Sequence, residues 1–190
     1  MQAASGTSLN DVASRPNPSR RALLGGLAVL AVAVLVLDQV TKALAVARLR
    51  PDQPVPVLGD LLQLRIIRNA GAAFSLGTGA TWLLTVVAVA IVVVVVRSAR
   101  RLGSRGWAFA LGLLLGGALG NLVDRLVREP GLGRGHVVDF IAYGNLFIGN
   151  LADVAIVVAA LLMAVLSLRG IGLDGVRLGA GSRTEDEIRG

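Results

Sequence analysis

Asn150-Leu151-Ala152-Asp153-Val154-Ala155-Ile156-Val157-Val158-Ala159-Ala160-Leu161-Leu162-Met163-Ala164-Val165-Leu166-Ser167-Leu168 is the stretch whose reading decides the fold. After Asp153 it carries no charge, and it approaches the roughly 20 apolar residues that cross a hydrocarbon core as one helix. It opens on a carboxylate, and an acid set against a membrane helix is costly enough to mark a functional position. Working outward, three further runs have the same character: about 22–47, 80–96 and 107–127, to set beside 150–168. With 54% hydrophobic and only 16% charged residues, the 190-residue chain reads as an all-α membrane protein of four transmembrane helices.

A net charge of +7 invites a nucleic-acid reading, but the arginines lie between and beyond the apolar runs, without a continuous stripe or interleaved aromatics. They read as topology signals, so no nucleic-acid partner is expected. Arg15, Arg20 and Arg21 precede the first run, Arg97, Arg100, Arg101 and Arg105 fill the second connection, and Arg169, Arg177, Arg183 and Arg189 follow the last. Positive charge close to the spans marks the cytoplasmic side, which places both termini inside. Residues 1–20 and 171–190 read as disordered cytoplasmic tails around a membrane domain at 21–170. Ser19-Arg20-Arg21-Ala22-Leu23-Leu24 has the outline of a twin-arginine export signal. The Asp and Lys late in its run, and the three spans that follow, argue that it is retained. The chain has no cysteine, which excludes disulfides, thiol nucleophiles and thiolate metal sites.

Two connections are patterned. Leu61 to Ile67 alternates apolar and polar residues after a proline-rich start, which predicts a short strand or hairpin. Arg128 to Asn145, with Pro130, Gly131, Gly133 and Gly135, reads as an irregular outer loop able to move as a lid. Gly112, Gly116 and Gly120 recur every fourth residue and predict a face for close helix contact. Trp82, Trp107 and Tyr143 fall at expected span ends, where amphipathic rings anchor at headgroups.

Because helices alternate direction across a bilayer, the ends of the first and third spans and the start of the fourth share one side. Nearly every unusual polar residue gathers there. Asp38 and Lys42 stand one helical turn apart, the spacing of a structural ion pair. Asn121 and Asp124 share a face, as do Asn150 and Asp153. Asp124 beside Arg125 suits packing or a headgroup contact. His136, the lone histidine, has no companion ligands, so no metal site is expected. Asp139 and Asp153 have no lysine or arginine within a turn. Two carboxylates held together near an apolar medium cannot both ionise, so one keeps a proton. Such a pair can activate water and protonate a leaving group, the chemistry of an aspartic hydrolase at the membrane surface. The alternatives are a small proton-coupled transporter or lipid flippase, which places acids near the midplane on broken or repeated helices, and a non-catalytic scaffold built on the glycine face.

Taken together, five segments resemble lipoprotein signal peptidase, or signal peptidase II. They are Asp38-Gln39-Val40-Thr41-Lys42, Arg68-Asn69-Ala70-Gly71-Ala72-Ala73-Phe74-Ser75, Gly117-Ala118-Leu119-Gly120-Asn121-Leu122-Val123-Asp124-Arg125, Val137-Val138-Asp139-Phe140 and Asn150-Leu151-Ala152-Asp153. They span about Leu35 to Ile156. The resemblance implies a multi-pass aspartic endopeptidase of the bacterial cytoplasmic membrane, with Asp139 and Asp153 as its catalytic dyad. It implies cleavage at the outer face, before the lipid-modified cysteine of a diacylglyceryl-modified prolipoprotein. It also implies that Asn69, Asn121, Asp124, Arg125 and Asn150 line the site and that Asp38 and Lys42 support it. An extracytoplasmic β-rich cradle, a mobile loop carrying His136, contact with membrane lipids, no cofactor and a monomeric state complete the implied picture. In one departure, Gly149 precedes Asn150 where the family usually has Phe.

Overall fold

The computed structural model describes residues 19–71 and 81–177. Ala72, Ala73, Phe74 and Ser75 of the second segment, like residues 1–18 and 178–190 of the expected tails, lie outside the described residues. Four helices are long and apolar enough to cross a membrane: α1 (Arg20–Arg48), α2 (Thr81–Ser98, continued by a 3-10 turn at Ala99–Arg101), α3 (Arg105–Val127) and α4 (Leu151–Leu168). Ser19, Ser104 and Asn150 cap α1, α3 and α4 with side-chain oxygens that accept first-turn amides, which satisfies donors that a helix leaves without partners.

Large apolar side chains face outward and small ones inward. Val29, Val86, Val94 and Leu161 are more than half exposed, Val29 at 71%, whereas Ala31, Ala110, Ala118, Ala152 and Ala159 are buried. That distribution suits a hydrocarbon solvent, where small residues let helix backbones approach. The central helix is α3, which packs against α1, α2 and α4. Its glycines permit this: a Cβ on Gly116 would stand 2.6 Å from the Val34 Cβ and 2.7 Å from the Ala31 carbonyl, and one on Gly117 2.6 Å from the Ala152 carbonyl.

At the end of the bundle where α1 and α3 finish and α4 begins sits an antiparallel sheet of order β1-β2-β3-β4: Val55–Leu58, Leu62–Asn69, Val137–Tyr143 and Phe147–Gly149. The expected hairpin is β1-β2. The last two strands correct the expectation of an irregular 128–145 loop. Val137, Val138, Asp139 and Phe140 are all buried, so the strand is covered on both faces and lacks the alternation that announces a half-exposed one. Ile67 stands opposite Asp139, and Asn69 opposite Val137.

At the other end, Ile171 to Arg177 form a hydrogen-bonded turn where a disordered tail was expected. Gly103 and Ser104 both donate their amides to the Leu173 carbonyl, at 2.9 and 3.1 Å. Trp107 is half-buried there and donates its indole N–H to the Ile171 carbonyl at 2.8 Å, so it pins this turn in place. Tyr143 lies within β3 and stacks on Phe147 with ring centroids 4.6 Å apart.

If the α1–α3 approach depends on missing side chains, Gly116→Ala should lower stability in detergent by about 1–3 kcal/mol through overpacking. Gly26→Ala, with nothing within 4 Å of the added carbon, should be neutral or stabilising in the same thermal melts.

Candidate active site

The polar centre is built on a buried cation. Lys42, fully buried, places Nζ 2.8 Å from Asp38 Oδ2 and 3.0 Å from Asp124 Oδ2, and donates to Asn121 Oδ1 at 3.0 Å. An ammonium has three donors, and three acceptors take them. Both acids then reach further. Asp38 Oδ1 accepts the Ala152 amide at 3.0 Å, so a carboxylate satisfies a first-turn donor of α4. Asp124 Oδ2 accepts the Val138 amide at 3.1 Å, and its Oδ1 accepts Arg128 Nε at 2.8 Å. Gln39 joins the cluster by donating to Asp38, Asp124 and the Gly120 carbonyl. The expected Asp38–Lys42 ion pair is present. Asp124 pairs with Lys42 and Arg128, the latter an i,i+4 neighbour whose spacing was legible in the sequence but was read only as topology.

Against this centre lie Asp139 on β3 and Asp153 in the first turn of α4. Asp139 is buried and accepts Asn150 Nδ2 on Oδ1 at 2.6 Å and Asn69 Nδ2 on Oδ2 at 2.8 Å. Asp153 is half-buried and accepts Asn121 Nδ2 on Oδ1 at 2.8 Å and the Asn150 amide on Oδ2 at 3.2 Å. Asn150 therefore touches both acids. It is also the N-cap of α4, its Oδ1 accepting the Asp153 amide, so the two residues form a capping box. Burial pushes the Asp139 carboxyl up to about 6, the nearby Asp153 charge adds to this, and the Asn69 and Asn150 donors oppose it.

Arg125 sends its charge toward Asp139, Asp124 and Asp153, and its Nη1 is buried without a hydrogen-bond partner among the described residues. The structure thus brings Asn69, Asn121, Asp124, Arg125, Asp139, Asn150 and Asp153 to one place, with Asp38 and Lys42 behind them. His136 is half-buried on the approach to β3, where its backbone amide bonds the Glu129 carbonyl. Among the described residues no group of three or more His, Asp or Glu is arranged to hold a metal ion. Gln39 is the participant that sequence reasoning passed over; its place in an apolar run beside Asp38 was the available signal.

Four helices suited to a membrane, a small sheet and two acids that share Asn150 as a donor at the end of the bundle define a membrane protein with an enzyme-like polar centre. Its relatives sharpen the class. Residues 30–169 match the family model described as signal peptidase (SPase) II. The chain is 53% identical over 165 residues to the lipoprotein signal peptidase of Rhodococcus jostii (strain RHA1), a match covering 87% of this chain and 82% of the relative. It is 54% identical over 166 residues to that of Leifsonia xyli subsp. xyli (strain CTCB07), covering 85% and 77%. A solved bacterial membrane enzyme superposes with a TM-score of 0.67 at 27% identity, covering 76% of this chain and 94% of the other. The chain belongs to the signal peptidase II family, and it is a membrane peptidase by that membership.

Because Asn150 serves as helix cap and as donor to Asp139, Asn150→Ala should lower stability by about 1 kcal/mol through the lost cap alone. It should also reduce peptide cleavage far more than that stability loss explains. Thermal melts and turnover measured on the same purified sample check both expectations.

Proposed function

We propose that this protein is an aspartic endopeptidase that removes the signal peptide from diacylglyceryl-modified prolipoproteins, with Asp139 and Asp153 as its catalytic dyad. The observation that carries the reading is the contrast between the acids: each accepts two hydrogen bonds, yet Asp139 is buried and held up to about 6 while Asp153 is half-buried. Two nearby carboxylates in different surroundings divide the roles of acid and base.

In the proposed reaction Asp153 takes a proton from water, the water oxygen bonds to the scissile carbonyl carbon, and Asp139 gives its proton to the carbonyl oxygen. Collapse of the tetrahedral diol then breaks the C–N bond as the amine takes the proton held by Asp153 and one hydroxyl of the diol returns its proton to Asp139. The Arg125 Nη1, buried without a partner among the described residues, is a ready donor for a substrate carbonyl. Asn69, Asn121 and Asn150 hold the acids, and Asp38 and Lys42 hold Asn121 and the start of α4. In the cell, the arginine cluster at Arg97 to Arg105 lies in the cytoplasm, and the sheet end, with the acids, lies at the outer leaflet. A substrate anchored by its acyl chains presents its cleavage site at that level, immediately before the lipid-modified cysteine. The acids also gather among helix termini and a sheet instead of mid-helix on broken segments, which disfavours the transporter reading.

Asp139→Asn and Asp153→Asn, assayed in detergent with a diacylglyceryl-modified prolipoprotein, should each lose at least about a hundredfold in turnover while staying folded, as removal of a general acid or base does. Retained cleavage in either variant overturns the dyad. The sign of the pH dependence follows from Asp139: its proton is present below about 6 and is lost as pH rises through that value. The alkaline limb of kcat/KM should therefore fall near 6.

A further inference from the structure

We infer that Lys42 is a positioning residue for the reaction: its buried ammonium fixes which way round the Asn121 amide points, and so which group Asn121 presents to Asp153. The inference rests on the dyad reading. An asparagine side chain has nearly the same shape whether its oxygen or its NH2 faces a given neighbour, so something must select the orientation.

Three asparagines turn their NH2 toward the acid pair, and each has its oxygen held by a donor. Asn69 Oδ1 accepts the Gly71 amide at 2.8 Å. Asn150 Oδ1 accepts the Asp153 amide at 3.0 Å. Both holds are backbone groups. Asn121 differs, because its Oδ1 is held by Lys42 Nζ at 3.0 Å and by Asn150 Nδ2 at 3.2 Å, with no backbone donor among the described residues. The Asn150 hold is the lesser one, since it comes from a neutral amide at the longer distance while the Lys42 hold is charge-assisted.

Reversing the Asn121 amide would press NH2 against the ammonium and oxygen against the Asp153 carboxylate, so the lysine charge selects the productive orientation. Without the ammonium the preference inverts. Asp38 Oδ2 and Asp124 Oδ2 would each have lost the ammonium they share, and the Asn121 NH2 would be drawn toward them. Asp153 would lose its Oδ1 donor and face an amide oxygen.

Lys42 is fully buried behind Asn121. The charged groups facing it are Asp38 from α1 and Asp124 from α3, with Arg128 on Asp124. Asp153 from α4 lies on the other side of the Asn121 amide, Asp139 from β3 also feels the Lys42 charge, and Arg125 from α3 faces Asp124, Asp139 and Asp153.

The test uses purified full-length Lys42→Gln with a diacylglyceryl-modified prolipoprotein in detergent. A neutral amide at this position can donate or accept and selects neither orientation. Expected is a kcat lowered roughly tenfold to a hundredfold, the usual effect of removing a partner one layer behind a reacting group, with KM nearly unchanged. A purely structural lysine would reduce the folded fraction and leave kcat per folded molecule unchanged, and that result overturns the inference.

Since Lys42→Gln strands two buried carboxylates, the double variant Asp38→Asn/Lys42→Met is measured beside it, with Asp38→Asn alone as its reference. In both, the carbonyl oxygen of the introduced asparagine can still accept the Ala152 amide, and Asp124 keeps Arg128. The double variant should show kcat per folded molecule lowered relative to Asp38→Asn with KM nearly unchanged, and an unchanged kcat overturns the inference. Asp139→Asn and Asp153→Asn run in parallel: if they cleave, the dyad reading fails, whereas if they are inactive and the Lys42 variants keep the normal kcat per folded molecule, only the role of Lys42 fails.

Discussion

One ammonium shared by two carboxylates, Lys42 between Asp38 and Asp124, is the constraint on which the remaining structure depends. Neither acid would remain buried and ionised without it, because an uncompensated charge in that setting costs several kcal/mol. With it, each carboxylate has a second oxygen free to organise backbone. Asp38 uses its own to receive α4 at Ala152, and Asp124 receives β3 at Val138. Those are the two elements that carry Asp153 and Asp139. The cation therefore sets the relation between a strand and a helix that have no direct covalent continuity beyond a short hairpin.

Close helix packing makes this possible. Gly120 passes so near α1 that a Cβ there would stand 2.5 Å from Asp38 Oδ2, so the glycine face and the ion network are one device. The first two glycines of the face, Gly112 and Gly116, do pack against α1. The last turn admits a carboxylate. Small residues inside and valines outside reverse the usual soluble pattern, and the largest fully buried side chains include Lys42, Asn150, Asp38, Asp124 and Asp139. In such an interior, polar complementarity defines the packing as much as apolar shape does.

Much of this was legible in the residues. Four apolar runs of spanning length fixed the helices, because hydrocarbon demands both length and apolarity. The i,i+4 spacing of Asp38 and Lys42 fixed their pairing. The convergence of Asn121, Asp124, Asn150 and Asp153 at one end followed from alternating helix direction alone. Strand β3 was hidden because both its faces are covered, which removes the period-two signal, and glycines just before it suggested a loop. The turn at Ile171 to Arg177 was hidden for another reason: its partners are the backbone amides of Gly103 and Ser104 and the ring of Trp107, about 70 residues earlier, and no local pattern encodes such distant donors. The capping box at Asn150 and Asp153 was visible as a spacing, but its second use, turning one side chain to Asp139 and the backbone amide to Asp153, depends on where β3 arrives.

The sheet accounts for the difference between the two acids. A carboxylate in the first turn of α4 sits at a helix end, where the capping box occupies one oxygen and the other looks along Asn121 toward the edge of the bundle. A carboxylate on β3 is enclosed by Val138 and Phe140 in its own strand, β2 on one side and the ends of the helices on the other. The number of hydrogen bonds is the same for both, so hydrogen bonding does not set them apart; burial does. A sheet supplies that burial without lengthening any helix, because β3 enters from the loop after α3 and is anchored to α3 by Asp124. The same Asp124 that neutralises Lys42 thus places the strand that encloses Asp139, and the electrostatic anchor of the bundle and the asymmetry of the acid pair have a common origin.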